Sequence, residues 1–139
     1  MKLKFQARHF GPYADNLNHA LQRIEGHFIR GYGDRSTKAE IRLMPEATEK
    51  AREFLEKKPE AEKHLQRVKR LIEGFETPYG MELLSTVHWV VKHEGNIEGD
   101  LDALRRRVES WNQRKKDLMK PRHIHTAYSR LAHQGWVAA

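Results

Sequence analysis

Histidines are the residues of this sequence most able to bind a metal ion or transfer a proton near neutral pH. The chain has nine histidines and no cysteine, which excludes disulfides, thiolate nucleophiles and cysteine-ligated zinc. His123 and His125 are two positions apart on a predicted helix and point about 200° apart, while His88 and His93, five apart, also diverge. No HExxH, GxSxG, P-loop or GxGxxG pattern is present. We therefore predict no catalytic residue, no metal site and no cofactor.

A second candidate is a phosphate-binding loop at GYGDR (31–35). The two glycines could let backbone amides turn towards an anion. The alternative is a turn between two strands, which needs the same residues for backbone reasons alone. We favour the turn.

An acidic segment, EGNIEGDLD (94–102), carries four carboxylates and no basic residue. Such spacing can imitate a phosphate track, so the segment is a candidate binding surface. In the alternative, the aspartates complement the amino end of a helix while the glutamates are solvated. The candidate partner-binding residues are Glu94, Glu98, Asp100 and Asp102.

The net charge of +7 is concentrated in the last quarter of the chain. Residues 1–102 contain 17 basic and 17 acidic residues, whereas residues 103–139 contain nine basic and two acidic ones. This asymmetry indicates a surface facing a polyanion or an acidic partner, and the alternative is a solvated helix face. The candidate polyanion-binding residues are Arg105, Arg106, Arg107, Arg114, Lys115 and Lys116.

Predicted helices must position these charges. Thr77 and Pro78 are a strong helix start, and the apolar residues that follow predict a central helix to His93 in which His88 and Trp89 are packed. Asp100 is expected to cap the next helix, and Pro121 to begin the last one before Gly135. The apolar residues of the helix after Asp100 recur at helical spacing and are expected to form its packing face: Leu101, Leu104, Val108 and Trp111.

The N-terminal half predicts shorter elements. Pro12 stands at a first-turn position of a helix from Tyr13 to Ile24, and residues 31–37 predict a loop. In residues 38–43, apolar and charged residues alternate, which predicts a half-buried strand. Two more helices are expected, one that Pro45 opens and that runs through Phe54 and Leu55, and one from Pro59 to Gly74.

These elements predict a mainly helical α+β fold, with a small antiparallel sheet near the N-terminal half and a helical, winged-helix-like C-terminal portion. We expect a single domain, residues 1–139. No apolar run is long enough for a membrane span or a secretory signal, so we expect a soluble, cytoplasmic protein.

The last three predicted helices have the outline of a helix-turn-helix or winged helix. A DNA-binding winged helix continues into a two-stranded wing, whereas this chain ends in GWVAA. Trp136 and Val137 could form one strand, and nothing remains to return as a hairpin. A DNA-binding module that uses the basic C-terminal helices is nevertheless the alternative to a protein-binding function.

Several long segments resemble the C-terminal part of DarG antitoxins, in which a macrodomain is followed by a second, toxin-binding domain. They are GPYADNLNHALQRIEGHFIRGYGD (11–34), RVKRLIEGFETPYGMELLSTVHWVV (67–91), WNQRKK (111–116) and HIHTAYSRLAHQGW (123–136). GPYADNL is also more distantly similar to a segment of Panacea antitoxin domains. The helix that usually precedes the LKF strand of the family is missing, so we expect a trimmed fragment or a shortened free-standing relative.

The resemblance implies a partner, the DarT toxin, which attaches ADP-ribose from NAD to thymidine in single-stranded DNA. In this family the macrodomain removes the modification and the second domain restrains the toxin. The present sequence lacks the glycine loops of the macrodomain. The resemblance therefore implies a non-enzymatic domain of a toxin–antitoxin system that occludes the DNA-binding face of DarT, with DNA mimicry confined to residues 94–102.

Overall fold

The computed structural model of the protein describes residues 2–33, 40–95, 97 and 99–139. These residues form two compact units, one within 1–6 and 13–66 and the other within 7–12 and 67–139. In chain order the elements are β1 (Gln6–Arg8), β2 (Gly11–Tyr13), α1 (Asp15–Ile24), β3 (Ile29–Arg30), β4 (Arg42–Leu43), α2 (Ala47–Glu56), α3 (Pro59–Ile72), α4 (Pro78–His93), α5 (Leu101–Trp111), α6 (Gln113–Leu118) and α7 (Pro121–His133). The predicted fold class, mainly helical α+β with little antiparallel sheet, is confirmed.

The first unit contains α1, the β3–β4 sheet, α2 and the start of α3. The two strands are antiparallel, with Ile29 opposite Leu43. Among its described residues, the buried apolar side chains are Ala14, Ile29 and Ala47. The apolar stripes of α2 and α3 are largely exposed, because Phe54 is 61% and Leu65 43% accessible.

The second unit has the larger core, and α4 is its central helix, as predicted. Side chains of α4 pack with those of α5 and α7, and burial of each leucine or valine contributes about 1.5–3 kcal/mol. The core residues of these three helices are Leu83, Leu84, Val87, Val90, Val91, Leu104, Val108, Ile124, Ala127, Tyr128 and Leu131.

The predicted caps of these helices are confirmed. The Thr77 hydroxyl accepts a hydrogen bond from the Gly80 amide at 2.9 Å, and an Asp100 carboxylate oxygen accepts one from the Ala103 amide at 2.9 Å. Each bond satisfies an amide that the first turn of a helix leaves without a backbone partner. Pro59 and Pro121 begin α3 and α7, also as predicted.

Predictions for the N-terminal half are partly wrong. Pro12 lies in strand β2 and not in a first helical turn, because α1 begins at Asp15. The strand predicted at 38–43 is seen at Arg42–Leu43, and Leu43 is 68% exposed rather than half-buried. Residues 38 and 39 lie outside the described residues. Helix α2 begins at Ala47, after Glu46 in a left-handed conformation, and not at Pro45.

The C-terminal region contains a helix that was not predicted. Asn112 caps α6 by accepting a hydrogen bond from the Lys115 amide at 2.8 Å, within the run that was interpreted as a basic surface. Trp136 and Val137 lie in a bend and not in a strand. No helix in the described ranges is both long and apolar enough to cross a membrane.

Candidate partner-binding surface

The acidic segment between α4 and α5 is anchored to the core of the second unit. Ile97 is buried, and the Gly99 amide donates to the Tyr128 hydroxyl at 2.9 Å. That hydroxyl donates in turn to the carbonyl of Ala138 at 3.0 Å. The described part of the segment therefore has fixed attachment points on α7 and on the C-terminal tail.

The carboxylates of the segment have different environments. Glu94 forms an ion pair with Arg107, with 3.4 Å between Oε2 and Nη1. Asp100 caps α5, as its alternative interpretation expected, and Asp102 is exposed in the first turn of that helix. Glu98 lies outside the described residues. Of the described carboxylates, Asp102 is therefore the most available to a partner.

Acidic and basic candidates meet in two pockets. One, of about 410 Å³, is lined by Glu94, Gly95, Ile97, Ala103, Arg106 and Arg107. The other, of about 290 Å³, is lined by Leu101, Asp102, Arg105, Pro121, Arg122, Ile124 and His125. The surface at the start of α5 is therefore mixed in charge, with apolar side chains between the ionic groups. It differs in this respect from a uniform track of negative charge.

The basic candidates also divide into groups. Arg105 forms an ion pair with Glu109 along α5, with 3.1 Å between Nη1 and Oε1. Arg106 and Lys116 are exposed and, among the described residues, have no carboxylate within ion-pair distance. Arg114 forms an ion pair with Glu82 on α4, and its guanidinium lies 4.8 Å from the centre of the Phe10 ring.

The assignment of Lys115 to an exposed basic surface is wrong, because its side chain is completely buried. Its ammonium group donates to Glu82 Oε1 at 2.8 Å and to the Thr86 hydroxyl at 3.1 Å, and lies 5.1 Å from the centre of the Trp111 ring. Burial lowers the pKa of Lys115, and the bond to Glu82 offsets part of that effect. Lys115 is therefore a core residue of the second unit.

Glu82 is the residue that sequence reasoning missed. Burial alone would raise the pKa of Glu82, but hydrogen bonds from Arg114 and Lys115 outweigh burial, so the pKa lies below its ordinary value. The carboxylate is thus held ionised between two cations. A signal was present, since Glu82 and Thr86 are four positions apart on one face of the otherwise apolar α4.

The glycine-rich segment binds an internal carboxylate. The amides of Gly31 and Tyr32 donate to the two carboxylate oxygens of Glu25 at 3.1 and 3.0 Å. Gly31 has a positive φ of 92°, and a side chain there would meet the carbonyl oxygen of Glu40. These two amides are therefore engaged within the chain, which favours the interpretation as a turn. Asp34 and Arg35 lie outside the described residues.

The histidines and Trp89 have structural contacts. His123 Nδ1 is 2.8 Å from the Tyr79 hydroxyl, and His88 packs edge-on against Trp136. Trp89 is half-buried and stacks on His93 with ring centres 3.8 Å apart, so its predicted packing in the central helix is partial and lies outside the main core cluster. Within the described ranges, no group of three or more histidines, aspartates and glutamates could hold a metal ion.

Comparison with known proteins finds three similar proteins that share the same name. The chain is similar to a protein named DNA ADP-ribosyl glycohydrolase from Thermus aquaticus, with 46% identity over 135 residues, 97% of this chain and 37% of that protein. Proteins of the same name from Mycobacterium bovis and Mycobacterium tuberculosis are 33% identical over 138 residues, 94% of this chain and 39% of theirs. No protein-family profile matches. The chain thus spans less than two fifths of the length of these relatives. Over nearly all of its own length, it is similar to one part of proteins named DNA ADP-ribosyl glycohydrolase.

Proposed function

We propose that this chain is the toxin-binding, non-catalytic part of a DarG-type antitoxin. It would bind a DarT-type DNA ADP-ribosyltransferase and cover the face with which the toxin holds DNA. The observation that carries the proposal is the 46% identity over 135 residues to a protein named DNA ADP-ribosyl glycohydrolase, of which the chain spans 37%. The remainder of such a relative is long enough to contain a separate catalytic domain.

The anchored acidic segment supports a role in binding. The described residues Ile97 and Gly99 are already fixed, by burial and by the bond to Tyr128, so they lose little conformational freedom when a partner docks. Asp102 is exposed beside it, and Leu101 adds an apolar side chain that is 38% exposed. A basic, DNA-binding face of a toxin would be attracted by the carboxylates and would cover the apolar group.

The ion pair between Glu94 and Arg107 limits the extent of phosphate mimicry. Glu94 can form a close contact with a cation of the toxin only if its ion pair with Arg107 is weakened or broken. We therefore assign the main electrostatic contact to Asp102, a secondary one to Glu94, and a positioning role to Asp100 as the cap of α5.

Calorimetric titration with a DarT-type toxin tests this assignment. Asp102→Asn should weaken binding by roughly threefold to thirtyfold if the carboxylate meets a cation at the interface, since such a contact contributes about 0.7–2 kcal/mol. The matched control is Glu53→Gln on α2, which removes one exposed carboxylate elsewhere and should leave affinity unchanged.

Two outcomes would contradict parts of the proposal. If the chain binds the toxin tightly and neither Asp102→Asn nor Glu53→Gln changes the affinity, the acidic segment is not part of the interface. If the chain does not bind the toxin but binds duplex or single-stranded DNA, and Arg106→Gln with Lys116→Gln weakens the DNA binding, the DNA-binding alternative is correct.

The non-catalytic part of the proposal has its own test. Incubation of the chain with DNA that carries ADP-ribosylated thymidine should release no ADP-ribose above a buffer control. The positive control is the full-length relative from Thermus aquaticus, because its name describes this hydrolysis. Release by the chain alone would show that it is an enzyme.

A further inference from the structure

A third pocket in the second unit, of about 320 Å³, is lined by Arg67, Arg70, His133, Gln134 and Trp136. It lies where the C-terminal part of α3 meets the C-terminal end of α7. The lining includes two guanidinium groups and an imidazole but no carboxylate. The sequence patterns that suggested charged surfaces did not include this pocket.

The two arginines of the pocket differ from most of the basic residues chosen from the sequence. Arg105, Arg107, Arg114 and Lys115 each pair with a carboxylate of the second unit. Among the residues that the structure describes, Arg67 and Arg70 have no such partner. Their positive charge is therefore not neutralised by a described neighbour, and an anion in the pocket would meet both.

Backbone carbonyls at the end of α3 would ordinarily repel an anion, but side chains of α7 and of its C-cap residue cover them here. Arg130 Nη1 donates to the carbonyls of Leu71 at 2.9 Å and Glu73 at 2.6 Å. Gln134 Nε2 donates to the carbonyl of Arg70 at 3.0 Å. These bonds reduce the negative potential and tie the two helix ends together, so the backbone that carries Arg67 and Arg70 is fixed.

The aromatic side of the pocket lies against one of the two guanidinium groups. The Arg67 guanidinium lies 4.7 Å from the centre of the Trp136 ring, and Trp136 is itself packed against the core. This cation–π contact involves no carboxylate, so the N–H groups of Arg67 can donate to a phosphate. Arginine and tryptophan side chains can both stack on a nucleobase.

We propose that this pocket binds the phosphate group of a nucleotide, with Arg67 and Arg70 as the donors. The ligand is a free mononucleotide or a nucleotide within single-stranded DNA, since both present a phosphate next to a planar base. The site is separate from the acidic segment and does not depend on toxin binding.

Nuclear magnetic resonance of the full chain labelled with ¹⁵N tests the proposal directly. The chain has three tryptophans, so its spectrum contains three indole signals, and Trp136→Phe identifies the one from the pocket. The probes are adenosine 5′-monophosphate, inorganic phosphate and a short oligothymidylate, each added at low salt. We expect the Trp136 signal to shift on addition of mononucleotide or oligonucleotide and the other indole signals to stay in place.

The decisive comparison is between two double variants of equal charge. Arg67→Gln with Arg70→Gln should weaken binding by about tenfold or more, because each charge-assisted contact to phosphate is strong. The matched control is Arg23→Gln on α1 with Arg52→Gln on α2, which removes two exposed arginines outside the pocket and should change affinity less than about twofold. Far-ultraviolet circular dichroism verifies that both variants are folded.

The oligonucleotide arm distinguishes the two sources of the phosphate. Binding of mononucleotide and oligonucleotide with similar affinity assigns the pocket to a single nucleotide. The other result is a preference for the oligonucleotide, together with a smaller dependence of affinity on salt in Arg67→Gln with Arg70→Gln. A slope of log affinity against log salt concentration that falls by about 0.7 in this variant assigns the pocket to a single-stranded DNA backbone. Absence of a Trp136 shift with every probe, a response to inorganic phosphate alone, or equal loss of affinity in both double variants would overturn the proposal.

Discussion

Glu82 and Lys115 form a buried ion pair whose two members should respond very differently to substitution. Glu82→Gln removes the one negative charge that both Arg114 and Lys115 contact, and leaves a fully buried ammonium with neutral partners only, an amide, a hydroxyl and an indole. Breaking a buried pair so that a charge remains uncompensated costs about 3–5 kcal/mol. We therefore expect this variant to lower the free energy of unfolding of the second unit by at least about 3 kcal/mol.

Lys115→Met should be much less destabilising. Methionine fills a similar volume, and Glu82 keeps its ion pair with Arg114 and its partial exposure of 10%. Replacement of a buried charge by an apolar group of similar shape is often nearly neutral. The expected cost is about 1–2 kcal/mol, most of it from the lost bonds to Glu82 and Thr86.

The double variant supplies the strictest test. Once Glu82 is glutamine, Lys115→Met removes the uncompensated ammonium and should restore about 1–2 kcal/mol of the lost stability. Urea denaturation followed by tryptophan fluorescence is a suitable assay, since Trp89, Trp111 and Trp136 all lie in the second unit. Lys116→Met, at the exposed neighbouring position, is the control and should stay within about 0.5 kcal/mol of the unmodified chain.

Additive costs in the double variant would refute this reasoning. So would a cost below about 1 kcal/mol for Glu82→Gln, since a small cost means that Lys115 is not held in a desolvated site. The interpretation of Lys115 as a core residue would then fail with it.

Three other features of the second unit have smaller, separately measurable effects. Trp111→Phe removes the bond from Nε1 to the carbonyl of Arg8 and should cost at least about 1 kcal/mol in urea denaturation; an unchanged midpoint would contradict this. Asp100→Ala removes the cap of α5 and should also cost about 1 kcal/mol, whereas Asp102→Ala should cost clearly less. Burial, with the charges of Lys92 and His93, lowers the pKa of His88, so the folded chain favours the neutral ring. Stability should therefore decline as pH falls from the ordinary histidine pKa towards the lowered one, and His88→Gln should flatten that part of the pH profile.

The helices of the second unit could be predicted because their signals are local. Thr77 and Asp100 accept bonds from amides three residues later, and a proline at a helix start restricts its own backbone. Such signals do not depend on the rest of the fold. The apolar positions of α4 likewise identified the central helix without knowledge of its neighbours.

The errors arose where distant residues decide the outcome. Lys115 looked like one more cation in a basic run, and the partner that buries it, Glu82, is 33 positions away. Pro12 fits a first helical turn by its own geometry, but Gly11 beside it is buried near the side chains of Ser85 and Thr86. In both cases a tertiary contact outweighed the local preference.

Strands β1 and β2 pair across a turn at residues 9–10, and this N-terminal hairpin has a consequence for the order in which the chain is made. Its carbonyls at Arg8 and His9 accept bonds from Trp111 and Asn112, in each case 103 positions later. At a synthesis rate of roughly 5–20 residues per second, the hairpin leaves the ribosome about 5–20 s before these partners exist. Throughout that time it can be held only by other contacts or by another protein, and these contacts of the second unit form only after Trp111 and Asn112 have been made.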